Sequence, residues 1–246
     1  MRHSAFLYYF FILYTLISCN GHNEKNDPED MTQNNSVSEE NQSNTEYSYL
    51  ALGDSYTIGE SVDKDERFPV QIAEKLTKNG FLTGSTELVA QTGWTTGELA
   101  AAIESRELGE NYDLVTLLIG VNNQYRGLDS GEYRTQFAEL LKTAINFADD
   151  AKSVIVISIP DYGVTPFGQD RNQEKIAKEI NLFNQINLEE TQKTEAHYVN
   201  ITGISRQAEN NQSLVASDGL HPSGEMYFLW VKELFPVAKQ ILENSK

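Results

Sequence analysis

The sequence predicts an α/β domain in which a parallel β-sheet carries helices on both faces. Five strand-like runs alternate with helical patterns from about residue 47 to the end of the chain, and this alternation is typical of right-handed βαβ units. Two of the runs, Tyr112–Ile119 and Ser153–Ile159, are rich in leucine and β-branched residues. Runs of this composition are typical of strands that are buried on both faces of a parallel sheet.

The elements are predicted in a regular order. The strands are expected at Ser48–Leu52, Thr86–Ala90, Tyr112–Ile119, Ser153–Ile159 and His197–Ile201. Segments with apolar residues at helical spacing lie between them. The helices are expected at 68–78, 97–106, 130–148 and 172–194, with a last one after residue 223. Pro236 is expected to kink or restart this last helix, because proline lacks the backbone N–H that an interior turn needs.

Composition limits the function classes. The 246 residues are 39% hydrophobic and 22% charged, which suits one globular domain with ends that do not belong to it. The formal net charge of -17 argues against nucleic acid as a partner, since phosphate binding needs clustered Lys and Arg. Because Cys19 is the one cysteine, an intramolecular disulfide and a cysteine-based metal cluster are excluded.

The N-terminus resembles a secretion signal. An apolar run from Ala5 to Ile17 follows Met1-Arg-His-Ser, and it is shorter than the roughly 20 residues of a transmembrane helix. The sequence Leu16-Ile17-Ser18-Cys19 resembles a bacterial lipobox, whose cysteine is lipidated. We therefore expect a signal peptide over residues 1–18, a lipid on Cys19, and attachment to a membrane of the bacterial cell envelope, on the periplasmic side or at the cell surface.

The segment that follows is polar and acidic. Between Asn20 and Glu46 the chain consists mainly of Asn, Glu, Ser, Gln and Asp. Such a composition cannot bury enough apolar surface to offset the entropy lost on ordering. We expect residues 19–46 to be a disordered tether and residues 47–246 to form the domain, which is expected to be monomeric.

Ser55 is the first candidate for chemistry. The first predicted strand stops at Gly53-Asp54-Ser55, and ligands bind at the carboxyl edge of open α/β sheets. A hydroxyl nucleophile needs a base and a group that orients the base. His221 lies in a loop three residues after Asp218, so Asp218 could bind one imidazole nitrogen while the other faces Ser55. The domain's other histidine, His197, lies within a strand pattern that favours packing.

An acyl-transfer site also needs donors for the oxyanion. The backbone N–H groups of Ser55 and Gly93 and the side-chain amide of Asn122 could supply them. Gly93 suits this role because the absence of a Cβ lets a substrate approach the backbone. Residues near two strand ends could line a substrate pocket, although ordinary aromatic packing explains them equally well: Trp94, Tyr162, Val164 and Phe167.

These segments, in order, resemble the four blocks of the SGNH (GDSL) hydrolase family. The blocks are Gly53-Asp54-Ser55-Tyr56-Thr57-Ile58-Gly59, Gly93, Gly120-Val121-Asn122 and Asp218-Gly219-Leu220-His221. The resemblance implies a three-layer α/β/α sandwich with a flavodoxin-like five-stranded parallel sheet. It also implies a serine esterase that works through a covalent acyl-enzyme and without a cofactor.

Residue by residue, the resemblance makes Ser55 the nucleophile, His221 the base and Asp218 its orienting group, with Ser55, Gly93 and Asn122 as the oxyanion hole. The sequence departs from the family pattern in two places. Asn123 stands where the family often has Asp, and Tyr56 stands where Leu is common. Neither position has a catalytic role, so the departures concern loop packing and substrate shape.

Several alternatives stay open from the sequence. The substrate could be a lysophospholipid or thioester with a longer acyl chain, which the loop Val164–Phe167 favours, or an acetylated carbohydrate. Asp54 could be the nucleophile of a phosphatase, although the second carboxylate of such sites is missing. Asp54, Asn122, Asp218 and His221 could instead hold a metal ion. The fold could also be retained as a binding module without catalysis.

Overall fold

The computed structural model describes residues 46–245 and contains the predicted sheet. Its strands are β1 (Tyr47–Gly53), β2 (Thr83–Ala90), β3 (Leu114–Leu118), β4 (Val154–Ile157) and β5 (His197–Val199). They lie in the order β2-β1-β3-β4-β5, and all neighbouring pairs are parallel. The predicted α/β fold class is therefore confirmed. The predicted signal peptide, Cys19 and the tether up to residue 45 lie outside the described residues.

Helices form the other two layers of the domain. Helices α2 and α8 pack against each other on one face of the sheet, and α3, α5 and α6 form the layer on the other. This arrangement is the three-layer sandwich that the sequence predicts. The helices are α1 (Ser55–Ile58), α2 (Phe68–Thr77), α3 (Thr96–Glu104), α4 (Val121–Tyr125), α5 (Ser130–Ala148), α6 (Gln173–Thr191), α7 (Thr202–Ser205) and α8 (Gly224–Asn244).

The last helix differs from the expectation. Helix α8 continues through Pro236 without a restart. Leu234 and Ala238 on either side of the proline are fully buried, so core packing holds this part of the helix although one backbone hydrogen bond is lost. Among residues 46–245, no helix has the length and apolar character needed to cross a bilayer.

The sheet positions the site through its strand order. Every residue of β3 and β4 is buried, as the apolar runs predict for strands covered on both faces. The connection from β1 leads to β2 on one side, and the connection from β2 crosses back to β3 on the other. The crevice at such a switch point is where open α/β sheets bind ligands. Ser55 and Asn122 lie in the short helices α1 and α4 that follow β1 and β3, and these segments flank this crevice.

Candidate active site

Ser55 begins the short helix α1 directly after β1. The side chain of Asp54 caps this helix by accepting a hydrogen bond from the Tyr56 backbone N–H at 3.0 Å. Ser55 is 95% shielded from solvent, yet it lines a cavity of about 170 Å³ that His221 also lines. Asp54 is fully buried and does not line this cavity. Its role in the turn is therefore structural.

The structure brings Asp218 and His221 together. His221 Nδ1 lies 2.6 Å from Asp218 Oδ2, and Asp218 Oδ1 accepts hydrogen bonds from the backbone N–H groups of Leu220 and His221. The hydroxyl of Ser61 donates to Asp218 Oδ2 at 2.8 Å. A hydrogen bond from the Ala216 N–H to the His221 carbonyl closes this loop. The loop therefore fixes the imidazole from one side.

These contacts determine the charge state of Asp218. Partial burial alone would raise the pKa of its carboxyl, but the hydrogen bonds from His221, Leu220 and Ser61 hold that pKa well below its usual range. The ionised carboxylate accepts a hydrogen bond from the Nδ1–H of His221. The other ring nitrogen, Nε2, is then left as the acceptor in the neutral imidazole.

Ser55 and His221 face the same cavity without a hydrogen bond between their side chains. Within the described chain, no hydrogen bond joins the Ser55 hydroxyl to the imidazole, although both side chains line the cavity. Catalytic hydrogen bonds are often long without substrate and shorten when it binds. The ring of Tyr56 packs edge-on against the His221 ring, with centroids 5.6 Å apart. This packing limits where the imidazole can move.

The predicted oxyanion donors lie around the same cavity. Ser55, Gly93 and Asn122 all line it. Among residues 46–245, the backbone N–H groups of Ser55 and Gly93 donate to no protein acceptor. Asn122 Nδ2 uses one hydrogen to bind the Trp94 carbonyl at 2.9 Å, which leaves its other hydrogen available. Gly93 has a φ of +84°, a left-handed conformation that side-chain-bearing residues rarely adopt.

Arg126 holds the loop that contains Gly93, and the sequence analysis did not identify it. Its Nη2 donates to the Gly93 carbonyl at 2.5 Å, and its Nη1 lies 3.2 Å from a carboxylate oxygen of Glu98. Arg126 therefore fixes the carbonyl on one side of Gly93. Helix α4 is only five residues long, so no amphipathic pattern in the sequence points to Arg126 at its C-terminal end.

Asn123 explains one departure from the family pattern. Its Oδ1 accepts a hydrogen bond from the Thr96 backbone N–H at 3.0 Å, and its Nδ2 donates to Thr96 Oγ1 at 2.7 Å. An ionised carboxylate could accept the first bond but could not donate the second. Asn123 thereby ties α4 to the first turn of α3 and supports the loop of Gly93.

The cavity wall contains two of the four predicted pocket residues. Tyr162 and Phe167 line it, whereas Trp94 and Val164 are half-buried against the core and do not. Tyr125, which the sequence analysis did not identify, also lines the cavity with 47% of its surface exposed. The remaining wall is mostly apolar or aromatic: Tyr56, Val121 and Leu220, with Thr92 as the polar exception.

The assembled groups suit acyl transfer. A serine hydroxyl, a histidine with an orienting carboxylate, and three N–H donors share one apolar-walled cavity. In the part of the chain that the structure describes, no group of three or more His, Cys, Asp or Glu side chains is arranged to hold a metal ion. The serine, histidine and carboxylate of an acyl-transfer site, in contrast, are already close together in the structure.

Comparison with known proteins agrees with this chemistry. A family model described as "GDSL-like Lipase/Acylhydrolase family" matches residues 51–229. No curated protein sequence matches the chain.

Solved structures show the same fold at low sequence identity. The lipase Lip_vut3 from a goat rumen metagenome is 18% identical, with a TM-score of 0.64, over 78% of this chain and 97% of that one. The esterase EstA from Pseudoalteromonas sp. is 19% identical, with a TM-score of 0.57, over 80% of this chain and 100% of that one. Axe2, an acetyl-xylooligosaccharide esterase from Geobacillus, is 15% identical, with a TM-score of 0.60, over 78% of this chain and 94% of that one.

The burial of Asp54 predicts a specific dependence of stability on pH. Burial raises the pKa of Asp54 from 3.8 to about 7, and its Oδ2 has no hydrogen-bond partner among the described residues. Because the folded state then binds a proton that the unfolded state releases, the free energy of unfolding should fall as pH rises from about 4 to about 7. Asp54→Asn keeps the cap and removes this titration.

We expect Asp54→Asn to gain roughly 3 kcal/mol in unfolding free energy relative to wild type between about pH 4.5 and about pH 7.5. Urea unfolding of both proteins at the two pH values measures the difference. Identical pH dependence of the two proteins would show that Asp54 is ionised in the folded domain.

Arg126→Ala should slow turnover more than it weakens substrate binding. Loss of the hydrogen bond to the Gly93 carbonyl frees the loop whose N–H faces the cavity. Because removing an oxyanion donor outright costs about 10²–10³ in kcat, loosening one should cost about tenfold. Steady-state hydrolysis of a neutral aryl ester measures kcat and KM separately. The control is Arg106→Ala, at an exposed arginine that does not line the cavity. An equal kcat in Arg126→Ala and Arg106→Ala would contradict the role of Arg126.

Proposed function

The chain belongs to the GDSL-like lipase/acylhydrolase family and is an ester-hydrolysing enzyme, and we propose that Ser55 is its nucleophile. One observation carries this proposal. Ser55 shares a cavity with His221. The ring nitrogen Nδ1 of His221 is held 2.6 Å from Oδ2 of the ionised Asp218. This geometry leaves Nε2 of His221 free to accept the proton of a hydroxyl on the cavity side.

The reaction follows from these positions. Ser55 Oγ attacks the ester carbonyl carbon and His221 Nε2 takes the hydroxyl proton, so that a tetrahedral intermediate forms. Its oxyanion accepts hydrogen bonds from the N–H groups of Ser55 and Gly93 and from Asn122 Nδ2. His221 then returns the proton to the leaving alkoxide as the carbon–oxygen bond breaks. The acyl group stays on Ser55 until water, activated by the same imidazole, hydrolyses it.

Asp218 contributes without taking a proton. Its strongly lowered pKa keeps the carboxylate ionised while His221 carries a positive charge in the transition state. The attraction between carboxylate and imidazolium stabilises that state. The backbone N–H groups of Leu220 and His221 fix the carboxylate, so the imidazole keeps its orientation through both half-reactions.

We further propose an acyl ester with an apolar chain as the substrate, of the lysophospholipase or thioesterase type. The support is the cavity wall, in which aromatic and aliphatic side chains surround Ser55. A carbohydrate O-acetylesterase is the second candidate. The small cavity volume of about 170 Å³ favours it, since pockets for drug-sized ligands have volumes of roughly 300–1,000 Å³. The similarity of the fold to an acetyl-xylooligosaccharide esterase fits it as well.

For the N-terminal region we propose a lipid anchor on Cys19 and a tether to residue 46, which would place the domain 47–246 at a membrane of the bacterial cell envelope. The support is the apolar run Ala5–Ile17 followed by Leu16-Ile17-Ser18-Cys19. A lipoprotein anchor with two or more acyl chains binds a membrane stably, which a single chain does not.

A panel of aryl esters from acetyl to palmitoyl, hydrolysed by wild type and Ser55→Ala, tests the nucleophile and the chain length together. We expect Ser55→Ala to reduce kcat about 10⁴-fold or more for every accepted ester, because the acyl-enzyme cannot form. A maximum at medium or long chains would support the lipid-type substrate, and activity on acetate alone would support the acetylesterase. Undiminished turnover by a folded Ser55→Ala variant would rule out Ser55 as the nucleophile.

The anchor has a separate test. Cys19→Ala should move the full-length protein from the membrane fraction to the soluble fraction of expressing cells, since no acyl chains can attach. Ser18→Ala, which keeps the cysteine, is the matched control and should remain with the membranes. Membrane attachment of the Cys19→Ala protein would contradict the anchor.

A further inference from the structure

A cationic side chain is held at the rim of the catalytic cavity. The guanidinium of Arg171 lies over the ring of Phe167, 4.5 Å from its centroid, and 5.2 Å from the centroid of the Tyr125 ring. Its Nη2 also donates to the Tyr125 hydroxyl at 3.2 Å. Because both rings line the catalytic cavity, they fix the position of the guanidinium relative to the site of Ser55.

Arg171 has no carboxylate partner at ion-pair distance. Arg126, Arg134 and Arg206 each lie within 4.0 Å of a carboxylate, whereas Arg171, like Arg67 and Arg106, forms no such ion pair among the described residues. One N–H of its guanidinium donates to the Tyr125 hydroxyl, and the other guanidinium N–H groups have no protein acceptor among the described residues. In a chain with a net charge of -17, an uncompensated arginine beside the active site is a local attractor for anions.

A second cavity of about 270 Å³ lies next to the catalytic one. Tyr125 and Tyr162 line both cavities and separate them. The charged residues around the second cavity are Arg171, Lys175 and Glu179, so its formal charge is positive. Lys175 and Glu179 are 3.6 Å apart and offset each other, which leaves Arg171 as the uncompensated charge.

An ester bound at Ser55 must extend in two directions. If the acyl part fills the apolar cavity around Ser55, an alcohol part that extends past Tyr125 and Phe167 meets the guanidinium stacked on their rings. This guanidinium is that of Arg171. A planar guanidinium that is held in place by aromatic rings can bind a carboxylate or a phosphate through two parallel hydrogen bonds.

We propose that the cavity of Arg171 binds an anionic group, a carboxylate or a phosphate, on the alcohol part of the ester substrate. This inference rests on the proposed function of Ser55 and narrows it to acyl esters of anionic alcohols. Arg171 supplies the charge and the hydrogen bonds, and Tyr125 and Phe167 set its position.

Three matched substrates test the proposal: 1-hexanoylglycerol, its 3-phosphate, and the hexanoyl ester of glycerate. They share the acyl group, and they present a neutral group, a phosphate or a carboxylate on the alcohol. We expect kcat/KM of wild type to be about tenfold or more higher for at least one anionic ester than for the neutral one, mainly through KM. About 0.5 M salt should reduce this preference, because the site is open to solvent.

Arg171→Gln should lower the ratio of anionic to neutral kcat/KM about tenfold, since glutamine keeps polar contacts and removes the charge. Arg171→Lys should give a ratio between those of wild type and Arg171→Gln, because lysine keeps the charge but lacks the planar pair of donors. Arg106→Gln, at an exposed arginine that lines neither cavity, should leave the ratio unchanged. The ester with the larger loss identifies the anion as phosphate or carboxylate.

Two results would overturn the proposal: wild type without preference for either anionic ester, or Arg171→Gln with an unchanged ratio. Hydrolysis of the neutral ester by wild type, and its loss in Ser55→Ala, reports on the proposed function independently. Activity on the neutral ester that depends on Ser55, together with an unchanged ratio, would therefore reject the anion site and keep the nucleophile.

Discussion

The close approach of β1 and β3 at their carboxyl ends is the constraint on which the site depends. Gly53 pairs with Leu118 there, and a Cβ on Gly53 would lie 2.4 Å from the Leu118 carbonyl oxygen and 2.2 Å from Thr57 Oγ1. No side chain fits at this point, so the chain can turn into α1 directly above the sheet. Ser55 and Asn122 follow this pair on adjacent strands, which places both at the switch point of the sheet.

The environment gives two carboxyl groups near Ser55 opposite properties. Asp54 is fully buried with one unpartnered oxygen, and burial raises its pKa to about 7. Asp218 is partly exposed and accepts four hydrogen bonds, which lower its pKa. The same residue type therefore shapes a turn in one place and can stabilise a protonated histidine in the other. Sequence proximity to Ser55 would have favoured Asp54 as the partner, but burial and hydrogen bonding favour Asp218.

Much of the fold could be predicted because its signals are local. The leucine and β-branched runs around β3 and β4 indicate buried parallel strands, and helix caps such as Thr95 and Asn172 can be read directly. Ser55 and His221 could be identified as candidates because chemistry restricts the residue types and the domain offers few histidines. Two features could not be predicted, because tertiary packing determines both. Strand β5 ends at Val199 and not at Ile201, and α8 continues through Pro236.

The parts of the site that the sequence did not predict depend on side-chain direction and long-range contacts. Trp94 is next to Gly93, yet its ring packs towards the core and only its carbonyl serves the site, by accepting from Asn122. Arg126 and Tyr125 lie at the end of α4, a helix of five residues that has no amphipathic pattern to reveal it. Arg171 is held at the rim because its guanidinium stacks on the ring of Tyr125, which is distant in sequence, and on the ring of Phe167, which lies in the preceding loop. No spacing rule predicts contacts of this kind.

The proposed ester hydrolysis depends on the activation of Ser55 by His221. Reaction with a fluorophosphonate, followed by intact mass and peptide mapping, tests it most directly, because the probe reacts with an activated serine and needs no knowledge of the natural ester. We expect a single adduct on Ser55 that is absent in Ser55→Ala and forms much more slowly in His221→Ala. No adduct on folded wild type, or an adduct on another residue that persists in Ser55→Ala, would contradict it.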